Sequence, residues 1–365
     1  MGVYGLGAAF GQSLLSLGAV LCLLALAEAF ARGLWTRLGR GERVVTTLAL
    51  AYVLFSVVNL LVRPFDDHTF HALRFLPNFL VPLLVFALPP TSEKFRTRML
   101  QALAVTYVIV LGKCLFETLA RGNPGTGFMS NPIYFAYTLL PAFVFFLRET
   151  ARAPRLVTGV GLAAVFVGIL LSQNRAVPFL ALAALVWVAL RQPRPVLRWG
   201  TLAAVLVMGG VGVGLYELQP RVRDKVARTL HPSSDPSVAW RLKAWTHNWN
   251  VFTGSPLTGV GAERNAIDAD KTPEMQGHWE GGHRIYAHSI YLQALADSGL
   301  IGFLLLFGFL FALGAAVPPT RGVLLLSAVG GLTENVFNNS RPAHALFVFL
   351  LLTALFAAPL KEPRA

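Results

Sequence analysis

Long apolar runs restrict the fold of this chain more than any other feature. Runs near 20 residues recur along most of the sequence, and about 20 apolar residues are needed for a helix to cross a bilayer. Hydrophobic residues make up 55% of the 365 positions and charged residues only 13%, whereas soluble domains carry about 25% charged residues. The sequence therefore predicts an all-α, polytopic integral membrane protein.

The apolar runs predict about eleven membrane helices and one long polar insertion. Residues 1–216 are predicted to hold helices 1–8, residues 217–287 a loop domain with interfacial helices, and residues 288–365 helices 9–11. The predicted spans are 5–28, 44–62, 75–90, 99–119, 132–147, 156–171, 176–190, 199–216, 289–316, 322–337 and 344–358.

The basic residues predict which end of each helix faces the cytoplasm. Many of the 31 Lys and Arg residues lie in alternate short loops, and cytoplasmic loops carry an excess of positive charge. The insertion 217–287, the turn 172–175 and His288 then face outward, which in a bacterium is the periplasmic side of the inner membrane. Because the net charge of +13 is dispersed among short loops, nucleic acid is not an expected partner.

A polar segment ends at His288, where an apolar helix is predicted to begin. An imidazole at this position can be neutral or charged near physiological pH, and it lies within reach of head groups and water-soluble acceptors. Gly299 and Gly302 follow roughly 16 Å further along such a helix, where small residues let a neighbouring helix approach closely. His288 is thus a candidate catalytic base, and an interfacial histidine that caps the helix is the alternative.

The segment 172–176 is predicted to form a polar turn between two short spans. Each span is only about 24 Å long against a hydrocarbon layer of about 30 Å, so the turn is expected to lie below the outer surface. Polar backbone at that depth survives where it lines a cavity, and a helix start favours anions. Arg175 is therefore a candidate anion-binding residue, with Gln173 and Asn174 as candidate substrate contacts. An arginine that reaches lipid head groups is the alternative.

Residues 238–252 place Trp240, Trp245 and Trp249 near one face of a predicted helix at the membrane interface. Arg241 lies near the start of this helix, and its planar guanidinium suits a phosphate group, although ordinary lipid phosphates are the alternative ligand. Trp245 is a further candidate substrate contact. Two arginines and a histidine that converge on one outward cavity would suit a diphosphate leaving group and a base.

A second polar cluster is predicted at the outer end of the tenth span. Asn335, Asn338 and Arg341 are candidate substrate contacts there, and Glu334 and Asn339 lie beside them in the sequence. Their side chains are expected to line the same outward cavity as His288.

Two other patterns are interpreted as structural. Lys113 and Glu117 are four residues apart within a predicted span, so they are expected to pair with each other, with a transport role as the alternative. The segment 268–270 has the Asp-x-Asp spacing of a metal–diphosphate motif, but three-residue matches arise by chance. Cys22 and Cys114 fall in apolar segments and form no disulfide framework. Neither a metal site nor a cofactor is predicted.

Three sequence patterns together resemble a known family. His288-Ser289, nine residues and then Gly299-Leu300-Ile301-Gly302 fit the pattern H-[NSQ]-x9-G-x-x-G. Arg241-Leu242 to Trp245, followed by Pro256-Leu257-Thr258-Gly259-Val260-Gly261, is similar to R-L-x-x-W…P-L-x-G-x-G, and 172–176 is similar to a polar turn with an arginine at a helix start. On these residues the chain resembles the O-antigen ligase family, within the wider group of ligases, O-antigen polymerases and protein O-oligosaccharyltransferases. The resemblance covers about residues 156–316, whereas the first 150 residues match only in helix pattern.

The resemblance implies both a fold and a reaction. The fold would be GT-C-like with twelve spans, and a missing first helix or a misread first span would explain the count of eleven. The reaction would be a metal-independent, inverting glycosyl transfer in the periplasm, from undecaprenyl diphosphate to a sugar hydroxyl of lipid A–core, without a cofactor. Carried over to this sequence, Arg175 and Arg241 would hold the diphosphate and His288 would activate the acceptor hydroxyl. The implied partners are the lipid-linked glycan donor, lipid A–core and membrane lipids.

Two alternative functions remain open. An O-antigen polymerase or a protein O-oligosaccharyltransferase would perform the same chemistry on another acceptor. A lipid-linked glycan flippase or other transporter belongs to a different class and would need access from both faces of the membrane. Apart from Lys113 and Glu117, the candidate functional charges lie on one side of the predicted topology.

Overall fold

A computed structural model describes most of the chain. It covers residues 23–64, 73, 76–88, 91–129, 131–191, 236–262, 264–265, 267–268, 284–332, 334 and 340–357, with scattered positions between 199 and 227. Several predictions fall outside these residues, namely most of the spans 5–28 and 199–216, most of the insertion 217–287, and the side chains of Asn335, Asn338 and Arg341.

The described part of the chain is all-α, as predicted, apart from a two-residue antiparallel pair. That pair joins β1 (Ile267–Asp268) to β2 (Arg284–Ile285). The helices are α1 (residues 23–31), α2 (Leu34–Arg37), α3 (Arg40–Leu61), α4 (Leu84–Ala87), α5 (Glu93–Leu115), α6 (Pro132–Arg152), α7 (Leu156–Leu171), α8 (Ala176–Arg191), α9 (Pro236–Gly254), α10 (Ile290–Ala316), α11 (Arg321–Gly330) and α12 (Ser340–Ala357).

Three helical stretches of the described chain are long and apolar enough to cross a membrane: Arg40–Leu61, Glu93–Ala120 and Ile290–Ala316. The stretch Glu93–Ala120 combines α5 with a π-helical turn, Phe116–Ala120. Further apolar helices are shorter, among them α7 and the first part of α8. The membrane assignment is thereby supported, while the count of eleven to twelve spans remains a prediction.

Two predicted spans differ from the observed elements. The span 75–90 is a 3₁₀ helix, Leu76–Leu83, followed only by the single turn of α4. Pro82 lies inside this stretch and has no N–H group, so a continuous α-helical ladder is interrupted there. The span predicted at 322–337 ends at Gly330, because the chain turns at Gly331 and Leu332 instead of continuing as a helix.

The centre of the fold is α6, most of whose side chains are buried. It packs against α7, α8 and α12. Phe145 makes an edge-to-face contact with Phe356 at 5.2 Å between ring centroids and a second contact with Phe349 at 5.5 Å. Such aromatic pairs add to the stabilisation that their burial already provides.

One end of the fold is held by arginines that bind the last turn of α12. Arg96 donates to the carbonyl of Leu355 at 3.2 Å, and Arg148 donates to that of Thr353 at 3.0 Å. Arg152 donates to the carbonyl of Phe356. The last carbonyls of a helix have no partner within the helix and carry partial negative charge, so three guanidiniums satisfy them well. These arginines lie near the helix ends that the distribution of basic residues predicts to face the cytoplasm.

Arg96→Ala is expected to lower the thermal stability of the protein in detergent. Its side chain is 4% exposed, and it also donates to the Thr91 hydroxyl at 2.7 Å. Removing it takes a buried, charged donor away from both acceptors, which costs about 1–3 kcal/mol. Arg98→Ala is the matched control, since Arg98 is exposed two residues further along α5. Equal melting temperatures for the two variants would contradict the assigned role.

Candidate functional site

His288 lies just before α10, against a buried carboxylate. Its Nδ1 is 3.2 Å from Oε1 and 3.3 Å from Oε2 of Glu334. The side chain of Glu334 is 2% exposed, whereas that of His288 is 30% exposed. Because an ionised carboxylate only accepts hydrogen bonds, this contact favours the tautomer with its hydrogen on Nδ1, which leaves Nε2 to accept a proton. The pair therefore has the arrangement of a general base and the group that orients it.

Backbone strain coincides with the candidate residues. Among the described residues, Gln173 and His288 are the two non-glycine positions with positive φ, at 52° and 47°. Residues in this left-handed region cost of order 1–3 kcal/mol, and they concentrate at functional sites. Both belong to the set that the sequence predicted, one in the turn before α8 and one before α10.

The turn that precedes α8 is built from its own polar side chains. The Ser172 hydroxyl accepts from the backbone N–H of Asn174 at 3.2 Å. The side-chain oxygen of Asn174 accepts from the N–H groups of Ala176 at 2.9 Å and Val177 at 3.0 Å, which caps the helix. Arg175 is half-buried beside this cap, at the end of α8 where anions are favoured. Its predicted position at a helix start is thus observed.

A loop from the end of α5 packs against the same turn. Glu117 accepts from the backbone N–H of Thr126 at 2.7 Å and pairs with Lys113 at 3.2 Å, while Lys113 also donates to the carbonyl of Gly127. The N–H of Gly125 donates to the carbonyl of Leu171, the residue before the turn, at 2.8 Å. The predicted pairing of Lys113 with Glu117 is confirmed, and both charged groups hold this loop.

Arg241 lies on the inner face of α9. Together with Ala244, Trp245 and Asn248 it forms the more buried side of that helix, which packs on α10. The indole N–H of Trp245 is buried and has no hydrogen-bond partner among the described residues. Trp249, by contrast, is 51% exposed. The face with Arg241 and Trp245 is therefore directed toward the helix that begins after His288.

The helix α10 is broken at Gly299, and the loop after α9 fills the break. Gly299 has φ 63° and ψ −167°, which no helix accommodates. The N–H groups of Val260 and Gly261 donate to the carbonyls of Ala296 and Asp297 at 2.9 and 2.8 Å. In return, the N–H groups of Leu300 and Ile301 donate to the carbonyls of Pro256 and Leu257 at 2.8 and 3.2 Å. The segment 256–261 thus satisfies the backbone on both sides of the break.

This contact corrects the role expected for Gly299. A Cβ atom at Gly299 would lie 2.3 Å from the backbone carbon of Leu257, so Gly299 admits a loop and not a neighbouring helix. Gly302 does face a helix, because a Cβ there would lie 2.8 Å from the ring of Phe55 in α3. Both glycines were expected to face a neighbouring helix, because the apolar sequence pattern predicts one continuous helix through the break.

Asn59 and Arg63, near the end of α3, hold the same loop and were not predicted as site residues. Asn59 donates to the carbonyl of Thr258 at 2.9 Å, and Arg63 donates to that of Gly259 at 2.6 Å. Burial, and after it the positive charge of Arg264, lower the pKa of Arg63. The sequence pattern did not single out Arg63, because its partner Gly259 is 196 residues away.

The candidate residues lie at one end of the helix bundle. The N–H of Ile290 donates to the carbonyl of Gly331 at 2.8 Å, which joins the start of α10 to the end of α11. A Cβ at Gly330 would lie 3.1 Å from Leu180, so the first turns of α8 also meet the end of α11. Arg175 therefore lies at the same end as His288, opposite the arginines that bind α12.

The described residues contain no group of three or more His, Cys, Asp or Glu side chains placed to hold a metal ion. Of the Asp-x-Asp pair, Asp268 lies in β1 and Asp270 falls outside the described residues. Arg175 and Arg241 remain the predicted anion-binding residues.

Gly299→Ala is expected to prevent stable folding. A β-carbon would clash with the backbone of Leu257, and the positive φ disfavours any side chain, so a loss above about 3 kcal/mol is expected. Gly308→Ala in the same helix is the control, because its nearest neighbour would be Leu48 at 3.8 Å. Size-exclusion profiles and melting temperatures report the outcome. A Gly299→Ala protein as stable as the control would show that the break is dispensable.

The sequence was also compared with known protein families. Residues 135–307 match a family model described as O-Antigen ligase, and the resemblance predicted from the sequence is thereby confirmed. The matched segment includes Arg175, Arg241, His288 and Gly299. No curated protein matches the chain at a significant level.

Proposed function

We propose, from its membership of the O-antigen ligase family, that this membrane protein is a glycosyltransferase that joins a lipid-linked glycan to lipid A–core. The donor would be a glycan on undecaprenyl diphosphate, and the acceptor a sugar hydroxyl of lipid A–core. The observation that carries the proposal is the contact of a partly exposed imidazole, His288, with the buried carboxylate of Glu334. A base oriented in this way suits the deprotonation of a hydroxyl group.

The reaction is a single displacement at the anomeric carbon of the donor sugar. Nε2 of His288 takes the proton of the acceptor hydroxyl, whose oxygen forms the new bond to the anomeric carbon. The bond from that carbon to the diphosphate oxygen breaks, its electron pair stays on the diphosphate, and undecaprenyl diphosphate leaves. Attack on the face opposite the leaving group inverts the anomeric configuration. Glu334 stabilises the imidazolium that forms, at a distance of 3.2 Å.

The departing diphosphate gains negative charge, and two arginines are proposed to stabilise it without a metal ion. Arg175 lies at the start of α8, and Arg241 lies on the inner face of α9. The buried N–H of Trp245 is a donor that a substrate oxygen would satisfy. Gln173, Asn174, Asn335, Asn338 and Arg341 remain proposed substrate contacts.

The orientation is proposed to be periplasmic. Arg96, Arg148 and Arg152 gather at the end of the bundle opposite His288, and an excess of basic residues marks the cytoplasmic side. The protein would then be a multi-pass protein of the bacterial inner membrane, with a GT-C-like fold. The insertion 217–287 would cover the sugar part of the donor, and the polyprenyl chain would enter from the lipid.

His288→Ala and Arg175→Ala are each expected to reduce transfer by the purified protein to a small residual rate while it still inserts and folds. Loss of a general base costs about 10²–10⁴-fold in rate. The assay measures undecaprenyl diphosphate released from a lipid-linked glycan in the presence of lipid A–core. Arg40→Ala, exposed at the opposite end, is the control. Near-normal transfer by either site variant would remove that residue from the mechanism, and a transporter would release no undecaprenyl diphosphate.

A gene deletion separates the proposed ligase from a polymerase. Loss of a ligase leaves lipid A–core without glycan while polymer accumulates on the lipid carrier. Loss of a polymerase leaves core that carries a single repeat unit. The second result would assign the same chemistry to polymerisation.

Glu334→Gln is expected to lower kcat by roughly 10- to 100-fold, because an amide can neither fix Nδ1–H as firmly nor stabilise the imidazolium. KM for the donor should change little, since the Glu334 side chain is only 2% exposed and is proposed to act through His288. Steady-state kinetics at fixed acceptor concentration measure both quantities. A variant with unchanged kcat would show that the carboxylate has only a structural role.

A further inference from the structure

A chain of buried amides joins α9 to α10. Asn248 and Gln293 are 0% exposed, Asn265 is 2% exposed and Asp297 is 4% exposed. The side-chain nitrogen of Gln293 donates to Asn265 at 2.7 Å and to Asp297 at 3.0 Å. Asn265 in turn donates to the side-chain oxygen of Asn248. Buried polar groups are costly unless each has a partner, and these three amides supply partners to one another.

One end of this chain reaches the backbone beside His288. The side-chain oxygen of Gln293 accepts from the N–H of Ala287 at 3.1 Å. On the other side of His288, the N–H of Ile290 is bound to Gly331. The left-handed backbone of His288 is therefore fixed on both sides, and Gln293 provides one of the two attachments.

The other end of the chain reaches the helix that carries Arg241. The side-chain nitrogen of Asn248 donates to the carbonyl of Ala244 at 2.8 Å. Ala244 and Asn248 lie three and seven residues after Arg241, on the same face of α9. A displacement of α9 along α10 would break this chain of amides.

We propose that Gln293 is a positioning residue that sets the backbone of His288 relative to the helix carrying Arg241. The proposal rests on the proposed function, because it concerns the base and one of the anion-binding residues of that reaction. Gln293 must accept one hydrogen bond from Ala287 and donate two on its other side. Among common side chains of this length, only a neutral amide or a protonated carboxyl both accepts and donates.

The requirement for both an acceptor and a donor gives a test with a distinctive pH dependence. Gln293→Met removes both and should lower kcat roughly 10- to 100-fold at every pH, since a displacement of about 1 Å costs that much. Gln293→Glu should recover part of the lost kcat at acid pH, where the protonated carboxyl accepts from Ala287 and donates one of the two hydrogen bonds. Its kcat relative to wild type should fall as the pH rises and the carboxyl ionises. Asn250→Asp, on the exposed side of α9, is the matched control and should follow wild type.

Coupling to the base gives a second readout. In the His288→Ala background, Gln293→Met should cause no further loss of residual transfer, because there is no imidazole left to position. A further loss of the same size would overturn the proposal. A wild-type kcat in Gln293→Met would also overturn the proposal. So would a loss of kcat in Gln293→Glu that varies with pH only as much as the melting temperature of that variant does.

A distance measurement separates this proposal from the proposed function. Nitroxide labels at Leu242 and Leu332, both exposed, report the position of α9 relative to the end of α11, which is bonded to the start of α10. Gln293→Met should shift or broaden the distance distribution between the labels. An unchanged distribution would overturn the proposal even if the wild-type protein transferred no glycan, and an inactive wild type with a shifted distribution would overturn only the proposed function.

Discussion

The backbone groups released at Gly299 need hydrogen-bond partners, and this requirement determines how the His288 end of the protein is assembled. Inside a membrane such groups have no water, so protein must supply the partners. The segment 256–261 does so from both sides of the break. Because this segment directly follows α9, the same contact fixes the helix with Arg241 against the helix that follows His288. Asn59 and Arg63 then hold the loop from α3.

Several energetically costly features lie at the His288 end. A positive φ at Gln173 and at His288, a buried carboxylate and a chain of buried amides all lie near α8 and α10. At the opposite end, arginines bind helix carbonyls in an arrangement that serves stability. Strain and buried polarity are retained where geometry matters for chemistry, which agrees with a site for group transfer at the His288 end.

The sequence predicted the elements whose signals are local. The helix predicted at 156–171 is observed as Leu156–Leu171, because an uninterrupted apolar run determines its length. Arg175 was expected at a helix start, and the Asn174 cap that places it there is also a local pattern. The motif H-[NSQ]-x9-G-x-x-G was enough to single out His288 from the sequence.

What the sequence did not predict depends on distant partners or on backbone dihedrals. The break at Gly299 is invisible to periodicity, since α10 stays apolar on both sides of it. Asn59 is a single polar residue within an apolar run, and its partner lies 199 residues away in the chain. The contact between the Glu334 carboxylate and Nδ1 of His288 joins residues 46 positions apart, so the sequence did not predict it. The 3₁₀ helix at 76–83 was missed because hydropathy outweighed the signal of Pro82.

The central claim is that His288, Arg175 and Arg241 act on one substrate at one end of the bundle. A structure of the protein with bound undecaprenyl diphosphate tests it most directly. We expect diphosphate oxygens within about 3 Å of the guanidiniums of Arg175 and Arg241, with the imidazole of His288 facing the same cavity. A diphosphate held elsewhere, or three groups that open into separate cavities, would contradict it.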